Sequence, residues 1–271
     1  MKRSGISDRF KEFKKLMFEE NKFNLKSIKL LFNSLYYSIF SWIKKERNIA
    51  SEIYSYESLF FIKKKDPIAF LESCRKNSAA FAPGIREEVI KLKTAFNVGS
   101  LETLEIGSGP NSNLSYWVDN KLIRVTAIDP LADKYKKIMR KLNYRYPITP
   151  IKMKGEDILK NFEKESFHII FAQNSLDHAE DPITCFKSGY YLLKKGGLMF
   201  VCTNIREGSR KNWAGMHKFD VFMKNRELFL ENQKGQIYNF IDKSTMSLDF
   251  IFYEEYFKNK VPSFEAVYRK V

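Results

Sequence analysis

Cysteine is rare in this chain, and its placement excludes as much as its number does. Cys74, Cys185 and Cys202 are the three present in 271 residues. They show neither metal-ligand nor redox spacing, and an odd count argues against a disulfide framework. A reducing, cytoplasmic setting is expected, and no metal site. A long apolar run is also missing. The most apolar stretch, Leu30 to Ile43, is shorter than the roughly 20 residues of a membrane span and is broken by Asn33, Ser34, Ser38 and Ser41. The opening residues Met1 to Lys15 mix charges and lack the continuous apolar segment of a signal peptide. No transmembrane helix is expected. There is no internal repeat and no low-complexity linker. Acidic residues are in deficit, 32 against 47 basic ones, for a net charge of +15. That balance favours an anionic partner such as nucleic acid, an acidic membrane surface or a phosphorylated small molecule. A solvated, lysine-rich surface of a compositionally biased chain would look the same.

What is present centres on Leu101 to Leu114, LETLEIGSGPNSNL. An alternating apolar run ends at Glu105, two residues before Gly107-Ser108-Gly109, and a helical pattern resumes near Ser112. Strand, glycine turn and helix start in that order bring a backbone close to a bound nucleotide. A dinucleotide fingerprint would place Gly or Ala where Ser112 stands. A second buried strand, Leu122 to Pro130, ends in Asp129, about 20 residues after the glycines, the spacing at which an acid meets ribose hydroxyls. Lys154-Gly155-Glu156-Asp157-Ile158 follows a third short strand. A fourth, starting at Phe167, leads through Gln173 and Asn174 to Asp181-Pro182. Gly196-Gly197 is read as closing the next helix before a fifth strand. Alternating strands and helices require right-handed crossovers and a parallel sheet covered on both faces.

The acid-x-Gly-x-Gly pattern of Glu105 to Gly109, with Asp129, Glu156-Asp157 and Asn174 in order, resembles the class I S-adenosylmethionine-dependent methyltransferases over residues 101–206. The stretch Asn174-x-Leu176-Asp177-His178-x-x-Asp181-Pro182, with Gly215-Met216-His217 later, is similar to their small-molecule, type 11-like branch. The resemblance implies an α/β, Rossmann-like fold: a mostly parallel seven-stranded sheet with an antiparallel last strand and a helical N-terminal extension. It implies S-adenosylmethionine as cofactor. Glu105 would organise the methionine end, with Gly107, Ser108 and Gly109 giving close backbone approach. Asp129, followed by Pro130, would meet the ribose, and Glu156, Asp157 and Ile158 the adenine, with the choice between the two acids left open. Gln173 and Asn174 would flank the sulfonium. The alternative for Asp129 taken alone is a helix N-cap acid.

The flanks are read from pattern alone. Residues 1–65 hold 15 Lys/Arg against 7 Asp/Glu. Phe23 to Ile43 repeats apolar residues at three and four, an amphipathic helix suited to a membrane surface, its own domain or a dimer partner. Asp66-Pro67 should start one helix, and Ile85 to about Ala95 should form another. The division expected is a helical extension over 1–98, to which only the family resemblance assigns the role of a cap, and a cofactor-binding core over 99–271, with a substrate segment around 205–245. Leu248 to Tyr256 and Ser263 to Arg269 lie too close for a helical crossover and should pair antiparallel at a sheet edge.

Histidine is the usual base near neutral pH. His168, at the start of a buried strand, reads as structural. His178 and His217 both fall on the ligand side and are the candidate bases. Arg206, Arg210, Lys211 and Lys218 offer charge for a phosphate. The function expected is methyl transfer, most naturally to oxygen, on a small phosphorylated or nucleotide-activated acceptor, for example in surface-polysaccharide synthesis. Two alternatives stand beside it: an RNA-modifying methyltransferase and a non-catalytic cofactor-binding protein of the same fold. Against the first, Asn174-Ser175-Leu176-Asp177 lacks the Asn/Asp-Pro-Pro-aromatic run of base-modifying enzymes. Cys185 lies too far into the next helix to be a nucleophile. Nucleic acid is not the partner expected, and the oligomeric state is left open.

Overall fold

The protein was analysed as a computed structural model, which describes residues 49–59, 64–77, 83–145, 147–258 and 260–271. The amphipathic segment Phe23 to Ile43 lies outside them. The chain divides into two compact units, Met1–Lys63 and Lys64–Val271. In the first unit, α1 spans Ile49–Ser58.

The second unit opens with α2 (Pro67–Asn77) and α3 (Pro83–Ala95). The Asp66 carboxylate accepts from the Ala69 N–H at 2.8 Å, the cap expected where Pro already supplies a helical φ. Then follow β1 (Leu101–Ile106), α4 (Ser115–Asp119), β2 (Ile123–Ile128), α5 (Ala132–Lys141), α6 (Ile158–Asn161), β3 (Phe167–Gln173), α7 (Pro182–Leu192), β4 (Leu193–Asn204) and α8 (Glu207–Arg210). The chain finishes with β5 (Phe219–Lys224), β6 (Glu227–Asn232), β7 (Ile237–Asn239), β8 (Leu248–Lys258) and β9 (Val261–Lys270). The main sheet has the order β2-β1-β3-β4-β9-β8. β9 alone runs against the rest, antiparallel to both β4 and β8, as the closely spaced C-terminal apolar runs required.

Burial explains why this sheet forms. Along β3, Ile170 and Ala172 face one apolar cluster, while Ile169 and Phe171 face the other. β4 repeats the alternation with Met199 and Val201 opposite Leu198, Phe200 and Cys202. A strand covered on both faces reads as a continuous apolar run, which is what IIFA and LMFVC are. Val89 and Leu92 of α3 and Trp117 of α4 cover one face; Cys185, Phe186 and Tyr190 of α7 cover the other. Arg75 of α2 grips the Asp119 carboxylate through two hydrogen bonds, 2.8 and 3.0 Å, fixing α2 on α4.

Three features differ from the sequence reading. The sheet has six strands and not seven, because the third short strand contracts to a single parallel bridge between Ile128 and Ile151. Its apolar residues, Ile148, Ile151 and Met153, are too few and too interrupted by Pro150 and Lys152 to sustain a ladder. Gly196-Gly197 does not close a helix. Helix α7 stops at Leu192, and the glycines lie inside β4, where Gly196 has φ +80° and a Cβ on Gly197 would stand 2.8 Å from the His168 carbonyl. Last, part of the 205–245 segment folds as a small antiparallel sheet, β5-β6-β7. Asn225 and Arg226 both take positive φ, 51° and 65°, the signature of a tight two-residue hairpin turn. Val221, Leu228 and Leu230 of this sheet enter the α7-side core.

Candidate functional site

Strand β1 delivers Glu105 to the carboxyl edge of the sheet and buries it to 1% exposure. Its Oε1 accepts from the Asn113 N–H at 3.2 Å. Its Oε2 is buried, and among the described residues no donor meets it. Burial pushes the carboxyl pKa up to about 7; the Ser112 hydroxyl and Asn113 N–H oppose that rise, and nearby Asp129 adds to it. A buried carboxylate oxygen without a donor costs free energy unless something completes its hydrogen bonding.

The turn beside it is built around left-handed glycines, Gly107 at φ +72° and Gly109 at φ +63°. Both the Gly107 and Ser108 N–H groups donate to the Ile128 carbonyl, at 2.9 and 3.1 Å. Ser175, from the loop after β3, closes over the turn: its hydroxyl donates to the Ile106 carbonyl at 2.7 Å, and a Cβ on Gly107 would fall 2.3 Å from the Ser175 Cβ. Gly107 is therefore required by packing inside the protein, whatever else the turn does.

Asp129 ends β2 and is buried, with Pro130 exposed behind it. Its Oδ2 accepts from the Gly109 N–H at 3.0 Å and its Oδ1 from the Leu131 N–H at 2.7 Å. Asp129 is not the N-cap of α5, which is Leu131 with no side-chain cap bond; its bond to the Leu131 N–H is a local turn leading into the helix. It coexists with a contact to the glycine turn.

Glu156 and Asp157 separate in environment. Glu156 Oε1 accepts from the main-chain N–H groups of Glu180 and Asp181 at 2.8 and 3.1 Å, so it anchors the start of α7. Asp157 faces solvent and pairs with Lys160 at 2.7 Å, which lowers its pKa. Ile158 is fully buried below them. At the end of β3, Gln173 is half-buried and Asn174 adopts φ +47°. The Asn174 Oδ1 accepts from the Asn204 N–H at 2.9 Å, and the Ser263 hydroxyl donates to Asn204 Oδ1 at 2.8 Å. The ends of β3, β4 and β9 are joined there.

Beyond Asn174 the structure brings together the two histidines singled out from sequence, with an acid that sequence reading had given no role. The Lys218 N–H donates to the Asp177 carbonyl at 2.9 Å, which draws the segment before β5 onto the turn after β3. His217 Nδ1 lies 2.7 Å from Asp177 Oδ2, and His178 Nε2 lies 3.0 Å from the same His217 nitrogen. Asp177 is buried, while the two rings keep about a fifth of their surface, 22% and 20%. The adjacency of Asp177 and His178 was the available signal. The histidine 39 positions later could be joined to them only through the fold.

His168 is structural, as expected. Its Nδ1 accepts from the Glu102 N–H at 2.9 Å and its ring meets Phe96 edge-on at 4.7 Å. Burial, followed by the charge of Lys194, lowers its pKa.

The basic residues divide. Arg206 is held at 2.7 Å from Glu231 and 3.6 Å from Asp220, and stacks 4.1 Å from the Phe222 ring centre. It forms one wall of a cleft of about 440 Å³ on the small sheet, with Phe222, Lys224, Glu227 and Phe229. That cleft shares no wall with the Gly107 turn. Lys218 is 3.8 Å from Glu180. Arg210 and Lys211 are exposed on and just after α8, Arg210 reaching the Ile205 carbonyl at 3.3 Å. Among the described residues, no helix is long and apolar enough to cross a membrane.

Residues 104–201 match a family model described as a methyltransferase domain. No curated protein matches the chain. Among solved structures, it is similar to 1,6-didemethyltoxoflavin-N1-methyltransferase of Burkholderia thailandensis, solved with 1,6-didemethyltoxoflavin and S-adenosylhomocysteine. That match has 13% identity over 75% of this chain and 86% of the other, with a TM-score of 0.41. An S-adenosylmethionine-dependent methyltransferase from Methanosarcina mazei matches at 17% identity over 70% and 98%, TM-score 0.45. The CcbJ methyltransferase of Streptomyces caelestis matches at 15% over 68% and 89%, TM-score 0.41.

Proposed function

We propose that this chain, whose core is a class I S-adenosylmethionine-dependent methyltransferase domain over residues 104–201, methylates an oxygen of a small, negatively charged acceptor. The observation that carries the reading is Glu105 Oε2, a buried carboxylate oxygen that no donor meets among the described residues, beside a left-handed glycine turn. An α-ammonium group is the complement such an oxygen calls for, since a charge-assisted hydrogen bond offsets its desolvation.

The cofactor supplies a methyl group on a sulfonium, already joined to a good leaving group. The protein's part is then to hold, orient and accept a proton. Glu105 receives the amino-acid end. Asp129, at the end of the neighbouring strand, receives the ribose hydroxyls. Asp157 serves adenine better than Glu156, whose carboxylate is already occupied by two main-chain donors. Gln173 and Asn174 line the sulfonium side. Positioning of this kind is worth at most about 7–11 kcal/mol of a barrier.

The acceptor end is read from the Asp177, His178 and His217 cluster, which lies where β3 ends and is partly open. A hydroxyl placed there can release its proton to the cluster as its oxygen gains the methyl group. The exposed Arg210 and Lys211 favour an acceptor bearing phosphate. The thiol chemistry of cytosine-C5 methylation finds no support, because Cys185 is buried and burial pushes its pKa up. The test is calorimetry of the full chain with S-adenosylmethionine and S-adenosylhomocysteine. Glu105→Gln and Asp129→Ala should each weaken binding at least about tenfold, a loss of about 1.4 kcal/mol. Affinity unchanged in both variants would sink the reading.

A further inference from the structure

We propose that Asp177, His178 and His217 form a binding site for one divalent first-row transition ion, with zinc and cobalt the natural probes. Three atoms define it: Asp177 Oδ2, His178 Nε2 and His217 Nδ1. They stand 2.7, 3.0 and 3.5 Å apart. A circle through three points at those separations has a radius of about 1.8 Å. A point about 2.0–2.1 Å from all three atoms, the usual zinc–nitrogen and zinc–oxygen distance, therefore exists about 1 Å off their plane.

Hydrogen bonding alone accounts for the triangle poorly. A proton on His217 Nδ1 directed at Asp177 Oδ2 satisfies the 2.7 Å edge. His178 Nε2 then faces, at 3.0 Å, a nitrogen whose hydrogen is already engaged, and its own distance to the carboxylate oxygen is 3.5 Å. One proton serves one edge, whereas a cation serves all three.

Two further observations point to a ligand. Asp177 is 2% exposed, yet among the described residues no donor meets its Oδ1. In addition, the second ring nitrogen of His217 lies 3.9 Å from the buried Glu207 carboxylate, itself bonded to the Asn204 side chain. At 3.9 Å the two are not hydrogen-bonded, but a negative charge behind the ring raises the basicity of the nitrogen that would face the ion.

Two imidazoles and one carboxylate select zinc, iron, cobalt or nickel over magnesium and calcium, which prefer all-oxygen sets. Three protein ligands with rings left partly open leave room for exogenous oxygen donors, the arrangement of a catalytic and not a structural site. If the chain methylates oxygen, the acceptor hydroxyl is the donor that fits this position; with the ion in place the three ligand atoms no longer act as the base, and the hydroxyl, acidified by the ion, gives its proton to solvent. That last step rests on the methyl-transfer reading; the ion site does not.

The experiment is cobalt titration of the full chain after dialysis against a chelator, followed by visible absorption, with zinc competition by calorimetry. One ion per chain is expected, with a histidine-ligated cobalt spectrum that zinc abolishes. His217→Gln and His178→Gln should each weaken binding at least about 100-fold, and Glu207→Gln about 10-fold or more. His168→Gln should leave binding intact. Thermal melts and S-adenosylhomocysteine binding of each variant identify any loss of fold; the two single histidine changes, at partly exposed rings, serve where Asp177→Asn is destabilised. Absence of a cobalt spectrum, or equal binding by both histidine variants and the parent, overturns the proposal. Ion binding with no cofactor binding would instead refute the methyltransferase reading and leave the ion site standing.

Discussion

The main-chain N–H of Gly109 donates to Asp129 Oδ2 at 3.0 Å, so one carboxylate joins the turn after β1 to the turn after β2. The residue expected to read a ribose is also the residue that holds the glycine turn in place. Asp129→Ala should therefore have two effects: weaker cofactor binding and a loss of about 1–3 kcal/mol of stability from two main-chain donors left without their acceptor. Asp129→Asn keeps one acceptor oxygen and should lose less. Denaturant melts beside calorimetry separate the two contributions.

Gly107→Ala should destabilise the protein even without cofactor, because the new Cβ would meet Ser175 Cβ at 2.3 Å in a residue already at φ +72°. Pairing it with Ser175→Gly should recover part of the steric loss but none of the backbone strain. A double-mutant cycle on thermal stability reads the coupling directly.

Cofactor affinity should depend on pH through Glu105. Its carboxyl is held at about 7 in the folded protein against an ordinary 4.5, so the folded state binds the proton more tightly than the unfolded one. The free protein then loses stability as pH rises from about 4.5 to 7, where the buried group must ionise. Binding an ammonium requires the ionised form. The dissociation constant should therefore rise by up to about tenfold for each pH unit below 7 and level off above it. Glu105→Gln should bind more weakly and show a flatter profile. A wild-type affinity independent of pH between 5 and 8 would contradict this.

His168 works in the opposite direction. Its folded pKa is lowered, and its Nδ1 accepts a hydrogen bond that protonation would destroy. Its contribution to stability is complete above its ordinary value of about 6.5 and declines as pH falls through that value toward the folded one. His168→Gln should remove this component, so the gap in stability between wild type and variant should narrow between pH 7 and 5.

Arg206 and Arg210 should part company. Arg206 is bound to Glu231 and lies close to the buried Asp220. Arg206→Ala should mainly lower stability, by about 1 kcal/mol given its partial exposure to screening solvent. Arg210→Ala should leave the melt unchanged and raise KM for a phosphorylated acceptor, since such binding is largely shared by ground and transition states.

Sequence alone carried the meeting of the residues at the ends of β1 and β2, where we propose that the cofactor binds. Glu105, Gly107, Gly109 and Asp129 lie on consecutive strand ends, so short-range spacing determines their meeting. It carried the antiparallel hairpin at the sheet edge for the same reason. It could not show that Glu156 turns away to cap α7, because that depends on two N–H groups 24 and 25 residues onward. The β5–β7 sheet escaped because Asn225-Arg226 lacks the Asn-Gly signature of its turn type. The Arg206 charge was visible, but its cancellation by Glu231 was not. The Asp177–His217 contact spans 40 residues and exists only because β5 starts against the turn after β3.

The placement of β9 has a consequence for how the protein is made. It is inserted between β4 and β8, so β4 has no partner on that side until residues 261–270 have been synthesised. At about 5–20 residues per second the interval after Asn204 lasts several seconds. During it, Leu198 to Cys202 present a bare, wholly apolar strand edge, the type of surface on which nascent chains aggregate. The Asn204 bond to Ser263 closes only when that interval ends. The cluster of Glu105, the glycine turn and Asp129, on β1 and β2, can form before it, while the chain of bonds from Asn174 through Asn204 to Ser263 must wait.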